Sequence, residues 1–274
     1  MNVMPYVLLF FQILFFTLGV PVICGLLVGI CERLLNLLMG RGFGRGIVMA
    51  SSVIGTPVHE LGHALMCLLF LHKIDDISLW RPFNNDGNLG YVTHRYNPKN
   101  LYHQLGNIFI GLGPVFSGLC VILLCLVLAF PQTIHGYADT AAHLVQNGEG
   151  IMPLLSEGFG MIPGIISEWQ DGAVPFWGRI IALAVMLCVA LHISLSPADI
   201  KGALGGLPIY LVMTLIATII ISLLGETAIT ASVAALSLFA AAAFALFMPV
   251  FLCVALWMAI GLAVLLIRKI LHLR

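Results

Sequence analysis

The stretch Thr56-Pro57-Val58-His59-Glu60-Leu61-Gly62-His63-Ala64-Leu65 places three side chains with metal-site chemistry inside an apolar segment. On a helix, His59 and His63 are four residues apart and fall on one face, so both imidazoles can reach one Zn²⁺. Glu60 then lies beside the metal, where its carboxylate can handle a proton. The stretch therefore predicts a helix that carries a site for metal-assisted hydrolysis.

The composition around this stretch is typical of a membrane protein. Of the 274 residues, 61% are hydrophobic and 9% are charged, with a mean hydropathy of +1.08, whereas soluble domains carry roughly 25% charged residues. The net charge is zero and indicates no nucleic-acid partner. The seven cysteines form no C-x-x-C pair and are interpreted as small buried hydrophobes. We predict an all-α polytopic membrane protein in contact with lipid.

Six stretches are long enough for a membrane-spanning helix, which needs about 20 apolar residues. They are residues 5–30, 46–71, 102–130, 174–195, 205–224 and 231–267. The first has no basic n-region and is predicted to be a retained span rather than a signal peptide, with a kink at Pro21. The last exceeds one perpendicular span, and we predict a single tilted helix with Pro249 as a kink, rather than a pair.

Two polar segments interrupt the apolar pattern. Residues 73–100 contain short alternating runs on both sides of the turn signal Asn84-Asn85-Asp86-Gly87, which predicts a membrane-associated β-hairpin between the second and third spans. Residues 131–172 contain five acidic groups, no Lys or Arg, and many glycines and prolines, so we predict an outer loop. The chain is thereby divided into an N-terminal helix with its connection (1–45), a core (46–205) and C-terminal helices (206–274).

Basic residues set the predicted orientation. The positive-inside bias places the loop 131–172 outside, and the segment 73–100 and the C-terminal tail inside, so both termini are predicted to be cytoplasmic. Arg33, Arg41 and Arg45 do not fit this scheme, because they would lie in an outer connection.

A catalytic zinc also needs a third protein ligand and an open position. Asp199 is the predicted ligand, because it follows the fourth span on the same side as the C-terminal half of the second. The sequence Ser196-Pro197-Ala198-Asp199 also fits a helix start with Asp199 as the capping-box acid, and the two roles can alternate between its oxygens. His192 is the alternative ligand, or an interior histidine. Without a metal, His59 and His63 would be hydrogen-bonded interior histidines.

These motifs together resemble the site-2 protease family of intramembrane zinc metalloproteases. TPVHELGHAL resembles that family's H-E-x-x-H span, and residues 73–100 fall where the family carries a membrane-associated β element. Gly113-Pro114 resembles the glycine-proline motif of its next span. The segment 196–202 stands where an N-P-x-x-D-G-like motif supplies an aspartate ligand. The resemblance covers roughly residues 46–205.

The resemblance has two departures. Gly202 stands three residues after Asp199 rather than next to it, and no asparagine follows the glycine-proline motif. Ser117 is nearest to that position. Asn107 is another polar group, which could steady an oxyanion or form an ordinary interhelical hydrogen bond.

The resemblance implies an endopeptidase that cuts transmembrane or membrane-proximal segments of other membrane proteins. Zinc would be held by His59, His63 and Asp199, with Glu60 as the base. The hairpin from Tyr91 to Tyr96 would hold an unwound substrate as an added strand. Two alternatives stay open, namely a membrane metalloprotease of the prenyl-protein-processing type and a non-catalytic scaffold that binds zinc.

Overall fold

The computed structural model of the chain describes residues 4–39, 41–82, 88–149, 151–169 and 174–270. Within these ranges the chain is mostly helical, with one two-stranded sheet. The elements are α1 (Met4–Leu14), a π-turn (Phe15–Gly19), α2 (Val20–Met39), α3 (Arg41–Leu69), β1 (Lys73–Ser78), β2 (Tyr91–Arg95), α4 (Leu101–Ala129), α5 (Pro131–Asn147), α6 (Ile151–Glu168), α7 (Phe176–Ala190), α8 (Pro197–Leu204), α9 (Leu207–Leu223) and α10 (Glu226–Ile270).

Several helices have the length and composition of membrane spans. Three helical stretches in the described residues qualify, namely Met4–Leu35, Leu101–Ala129 and Glu226–Ile270. The pair α8 and α9, bent by 53°, would make a fourth if it forms one broken span. Helix α7 is apolar but shorter, and α3 is not in this set. These features are compatible with a membrane protein.

The predicted β element is confirmed as a two-stranded antiparallel sheet. Lys73 pairs with Arg95 at one end and Ser78 pairs with Tyr91 at the other. The register shifts between Ile74 and Asp76, so Asp75 forms a bulge. The predicted turn at residues 84–87 lies outside the described residues.

The described part of the segment predicted as an outer loop contains two helices. Helices α5 and α6 pack against each other and against α10. The buried carboxylate of Glu168 accepts hydrogen bonds from the backbone N–H groups of Gln132 and Thr133 and from the Thr133 hydroxyl. An acid at this position stabilises the start of α5 because the first N–H groups of a helix have no intrahelical partner.

Two connections also differ from the sequence prediction. Helix α3 begins at Arg41, so the segment 41–45 is helical rather than a loop. The sequence leaves residues 225–230 between two predicted spans, and in the structure this interval is reduced to Gly225, whose φ of 96° ends α9. Glu226 is already the first residue of α10, which continues as one helix of 45 residues. At about 1.5 Å per residue, this helix is roughly 68 Å long.

The first predicted span also has a different irregularity. Its helix contains the π-turn Phe15–Gly19, in which the Val20 N–H donates to the Phe15 carbonyl. Pro21 follows directly and has no N–H to offer the Thr17 carbonyl four residues before it. The proline therefore comes directly after a change in hydrogen-bond pattern.

Helices α3 and α4 cross in backbone contact, and this crossing positions the site. A Cβ atom at Gly62 would lie 2.5 Å from the Gly113 oxygen, and a Cβ at Gly113 would lie 2.5 Å from the Gly62 oxygen. Ser117 supports the crossing by donating its hydroxyl proton to the Val58 carbonyl at 2.8 Å. The glycine-proline motif is thus explained in part by packing, since any larger side chain would separate the helices.

Candidate metal centre

Helix α3 presents both motif histidines on one face, as their spacing predicts. The Nε2 atoms of His59 and His63 lie 3.3 Å apart, and the ring centroids are separated by 5.0 Å. Glu60 is buried and lies beside them in the wall of the same cavity. The local helix therefore supplies two ligands and one carboxylate.

Backbone carbonyls fix the orientation of both rings. Nδ1 of His59 lies 2.7 Å from the His192 oxygen, and Nδ1 of His63 lies 2.7 Å from the Ile110 oxygen. A carbonyl oxygen only accepts hydrogen bonds, so each Nδ1 must carry the proton. Both Nε2 atoms are then unprotonated in the neutral rings, and metal-ligating histidines are commonly oriented in this way.

The sequence explains why neither carbonyl is bonded to a backbone N–H of its own helix. Pro114 stands four residues after Ile110 and has no N–H, so the Ile110 oxygen loses its intrahelical donor. His192 lies two residues after the end of α7, so its carbonyl has no partner within that helix. The backbone N–H of Ser196, four residues on, donates to Asp199 instead.

Asp199 completes the group from the first turn of α8. One carboxylate oxygen, Oδ1, lies 3.0 Å from Nε2 of His63. The other, Oδ2, lies 3.7 Å from Nε2 of His59 and accepts the Ser196 N–H at 2.7 Å. The Asp199 N–H in turn donates to the Ser196 hydroxyl at 3.1 Å. The carboxylate therefore caps the helix and faces the imidazoles at the same time.

A close contact holds α8 against α4 at this point. A Cβ atom at Gly111 would lie 2.6 Å from the backbone carbonyl oxygen of Asp199 and 2.8 Å from the Cβ atom of Ala203. Glycine at position 111 thus lets the backbone that carries Asp199 approach the crossing of α3 and α4.

The donor set fits a metal ion. One ligand atom from each of His59, His63 and Asp199 lies within 4.8 Å of the others, and among the described residues this group could hold an ion. His192 is not part of the group. Its Nδ1 is 3.0 Å from the Cys188 oxygen, and its own carbonyl orients His59. His192 therefore contributes to the centre through its backbone.

A cavity of about 810 Å³ surrounds the group. Its wall includes Glu60, Asn107 and residues of β2. The amide nitrogen of Asn107 is buried without a hydrogen-bond partner. Ser117 does not line this cavity, and its hydroxyl donates to the Val58 carbonyl. Of the two polar groups named for an oxyanion, Asn107 is the one that lines the cavity of the metal centre.

Sequence patterns did not single out two features of the wall. A Cβ atom at Gly90 would lie 2.9 Å from Oε1 of Glu60, so the chain leading into β2 packs directly on this carboxylate. The half-buried His94 of β2 also lines the cavity. Strand alternation places Val92 and His94 on one face, and from this pattern His94 could have been predicted to line the site.

A second, apolar cavity of about 730 Å³ adjoins the first. It is lined mainly by apolar side chains of α1, the π-turn, α4, α8 and α9. Gly111 and Asp199 line both cavities. The metal centre therefore stands where a polar chamber meets an apolar one.

The arrangement can hold a metal ion and place a carboxylate and a strand edge beside it. Comparison of the chain with protein-family models, with curated proteins and with solved structures finds no match in any of the three.

Proposed function

We propose that this protein is an intramembrane zinc metalloprotease of the site-2 protease type, which cleaves transmembrane or membrane-proximal segments of other membrane proteins. The observation that carries the proposal is the convergence of His59, His63 and Asp199 with Glu60 in the wall of one cavity. Two neutral imidazoles and a carboxylate form a donor set suited to a catalytic zinc site, which has three protein ligands and an open position.

The reaction divides between the ion and the protein side chains. When bound, zinc lowers the pKa of water and polarises a carbonyl. Glu60 accepts the proton of the attacking water and transfers it to the leaving amine. Asn107 is in the cavity wall, where an amide N–H can donate to the developing oxyanion. The Ile110 and His192 carbonyls keep the two histidines in the tautomer that the metal requires.

Two further features support an unwound apolar substrate. Strand β2 pairs with β1 along one edge, and in the described residues no other strand pairs with it. Tyr91, Val92 and Tyr96 line the metal cavity, so a peptide added along the free edge would lie beside the centre. The adjoining apolar cavity suits the side chains of a membrane segment.

The proposal includes six spans with both termini in the cytoplasm. Helices α3 and α7 would join the four candidate spans, with the bent pair α8 and α9 counted as one. Arg268 and Lys269 at the end of α10 support a cytoplasmic C-terminus through the positive-inside bias.

The test of the proposed function is cleavage by the purified, zinc-loaded chain in detergent. The probe is a set of single-span membrane proteins with helix-breaking residues in the span. We expect Glu60→Gln to lower cleavage by at least about 100-fold, the contribution of a general base, while zinc content is unchanged. Glu226→Gln is the matched control, because this exposed acid lies at the start of α10. Zinc binding without cleavage by the wild-type chain would favour the scaffold alternative.

The third ligand has its own test in zinc stoichiometry. Asp199→Ala removes a carboxylate and is expected to lose the ion. His192→Ala leaves the backbone carbonyl that orients His59, so zinc content is expected to persist. Full zinc retention in Asp199→Ala would refute the assignment. Loss of zinc from His192→Ala, with zinc retained in Asp199→Ala, would favour His192 as the third ligand.

A further inference from the structure

A second group of imidazoles lies beside the metal centre, where α3, β2 and α4 meet. His72 is 4% exposed, and its Nδ1 lies 3.0 Å from Nδ1 of His94. Its Nε2 lies 2.8 Å from the backbone oxygen of His103. The His72 ring also stacks on Tyr96, with the centroids 4.8 Å apart. Both nitrogens and one face of this ring therefore have partners.

The backbone explains why His72 is held in this position. Leu71 has a φ of 58°, and the His72 N–H donates to the Cys67 carbonyl at 2.8 Å. This is the Schellman pattern that ends a helix. The chain then continues directly into β1, in which Ile74 pairs with His94. The end of α3 and the strand register together bring the two rings into contact.

The hydrogen bonds fix the tautomer of each ring. The His103 carbonyl only accepts, so Nε2 of His72 carries a proton and Nδ1 of the neutral ring has a lone pair. His94 must then donate from its own Nδ1, which leaves its Nε2 as an acceptor. Because His94 lines the cavity that contains His63 and Glu60, a side chain with a free acceptor forms part of the cavity wall.

The surroundings favour the neutral form of both rings. Burial lowers the pKa of His72. Burial also lowers the pKa of His94, with further contributions from His72 and His63, and nearby Asp75 opposes them. Neutral imidazoles can hold the donor and acceptor pattern described above at neutral pH.

We propose that Nε2 of His94 accepts a hydrogen bond from a backbone N–H of the peptide bound in the cavity, and that His72 is the positioning residue that keeps His94 in the accepting tautomer. The inference rests on the proposed proteolytic function and specifies its substrate. An extended segment has exposed N–H groups, whereas a helix bonds its own. The contact therefore selects an unwound segment.

A second metal site is the competing use for two imidazoles this close together. Among the described residues, the group of three side chains that could hold an ion is His59, His63 and Asp199. His72 and His94 lie outside that group. Zinc sites use three or four protein ligands, so a hydrogen bond accounts for the contact between the two rings.

The test measures peptide binding in the full-length chain with Glu60→Gln, loaded with zinc in detergent, so that the peptide is not cut. The probe is a short fluorescein-labelled peptide of alternating valine and threonine with a lysine at each end. In its analogues an ester replaces one amide at a time and deletes one N–H. We expect one ester position to weaken binding about three- to tenfold, as for the loss of one hydrogen bond.

Two substitutions of His94 separate the roles of its nitrogens. His94→Asn can retain a donor toward His72 but has no atom at the Nε2 position, so the effect of the ester is expected to disappear. His94→Gln places an oxygen near that position and is expected to keep the effect. An ester effect that persists undiminished in His94→Asn overturns the inference, and so does the absence of saturable binding to the Glu60→Gln parent. Zinc content is expected to be equal in all three proteins.

Two further readouts would not follow from a merely structural role. Nitrogen NMR of the peptide-free chain is expected to show Nε2 of His94 unprotonated, and a protonated Nε2 overturns the inference. Peptide affinity is expected to fall when His94 is protonated at acidic pH, because protonation turns the acceptor into a donor.

The outcome is separable from that of the cleavage assay. If the wild-type chain cleaves nothing while His94→Asn abolishes the ester effect, the proposed function fails and the peptide contact stands. If cleavage occurs and the ester effect is unaltered by His94→Asn, the contact alone fails.

Discussion

Pro114 acts on the metal centre through an atom of another residue. Its ring nitrogen cannot donate, so the Ile110 carbonyl in α4 is available to Nδ1 of His63 at 2.7 Å. The same relation recurs far from the site, where Pro249 leaves the Ala245 carbonyl to the hydroxyl of Tyr137. A proline within a helix is costly in isolation, but here the freed acceptor has a defined partner.

The substitution Pro114→Ala tests this role. The new N–H at position 114 would compete for the Ile110 oxygen and weaken the constraint on His63. We expect the zinc dissociation constant to rise about tenfold, the low end of effects seen when the partner of a ligating histidine is lost. Competition titration with a zinc chelator measures it. Pro163→Ala, at an exposed proline within α6, is the control and should leave the constant unchanged. Equal affinity in both variants would contradict the explanation.

At the scale of elements, the crossing of α3 and α4 determines where the two ligating histidines meet Asp199. Gly62 and Gly113 allow backbone contact, and Gly111 admits α8. The sheet depends on the same crossing, because β1 follows α3 and β2 is followed by α4. A displacement of either helix would therefore disturb the ligands and the strand edge together.

A matched pair of glycine-to-alanine substitutions in α3 tests the close crossing of α3 and α4. Gly62→Ala introduces a Cβ atom 2.5 Å from the Gly113 oxygen and should cost about 1–3 kcal/mol as overpacking. Gly46→Ala, where nothing lies within 4 Å, should gain up to about 1 kcal/mol from helix propensity. Unfolding in detergent micelles measures both. A Gly62→Ala protein as stable as Gly46→Ala would show that the helices separate at little cost.

Across the whole molecule, α10 connects the metal core to the pair α5 and α6. Trp257 donates to the Leu187 carbonyl of α7 at 2.8 Å. Tyr137 donates to the Ala245 carbonyl at 2.8 Å across 108 positions of sequence. The Gly158 backbone lies against Met248. These contacts hold the segment 131–169 on the helical body.

Tyr137→Phe tests the connection between α5 and α10. The Ala245 carbonyl would lose its partner in a buried position, at a cost of about 1–3 kcal/mol. Tyr102→Phe is the control, because its hydrogen bond to the Leu69 carbonyl is exposed and water can replace the hydroxyl. Unfolding in micelles should rank Tyr137→Phe as clearly the less stable. Equal stability would contradict the role assigned to the freed Ala245 carbonyl.

Local patterns predicted the parts of the molecule that depend on near neighbours. The face shared by His59 and His63 follows from helical spacing, and the sheet follows from alternating runs. The helices within residues 131–169 were not predicted, because glycine, proline and acidic residues favour irregular structure only in the absence of packing. Here α10 and the buried bonds of Glu168 stabilise two helices.

The sequence by itself determined that the chain is apolar and helical, that His59, Glu60 and His63 share one helix, and that Asp199 caps another. These properties depend on composition and on spacings within a turn or two of helix. The position of Asp199 after the fourth span also predicted it as the third ligand, and the tertiary structure brings it within 3.0 Å of His63. The tertiary structure alone decided that the Ile110 and His192 carbonyls orient the histidines and that His72 and His94 stand beside them. Such contacts join atoms distant in sequence, and they depend on how closely two backbones can approach.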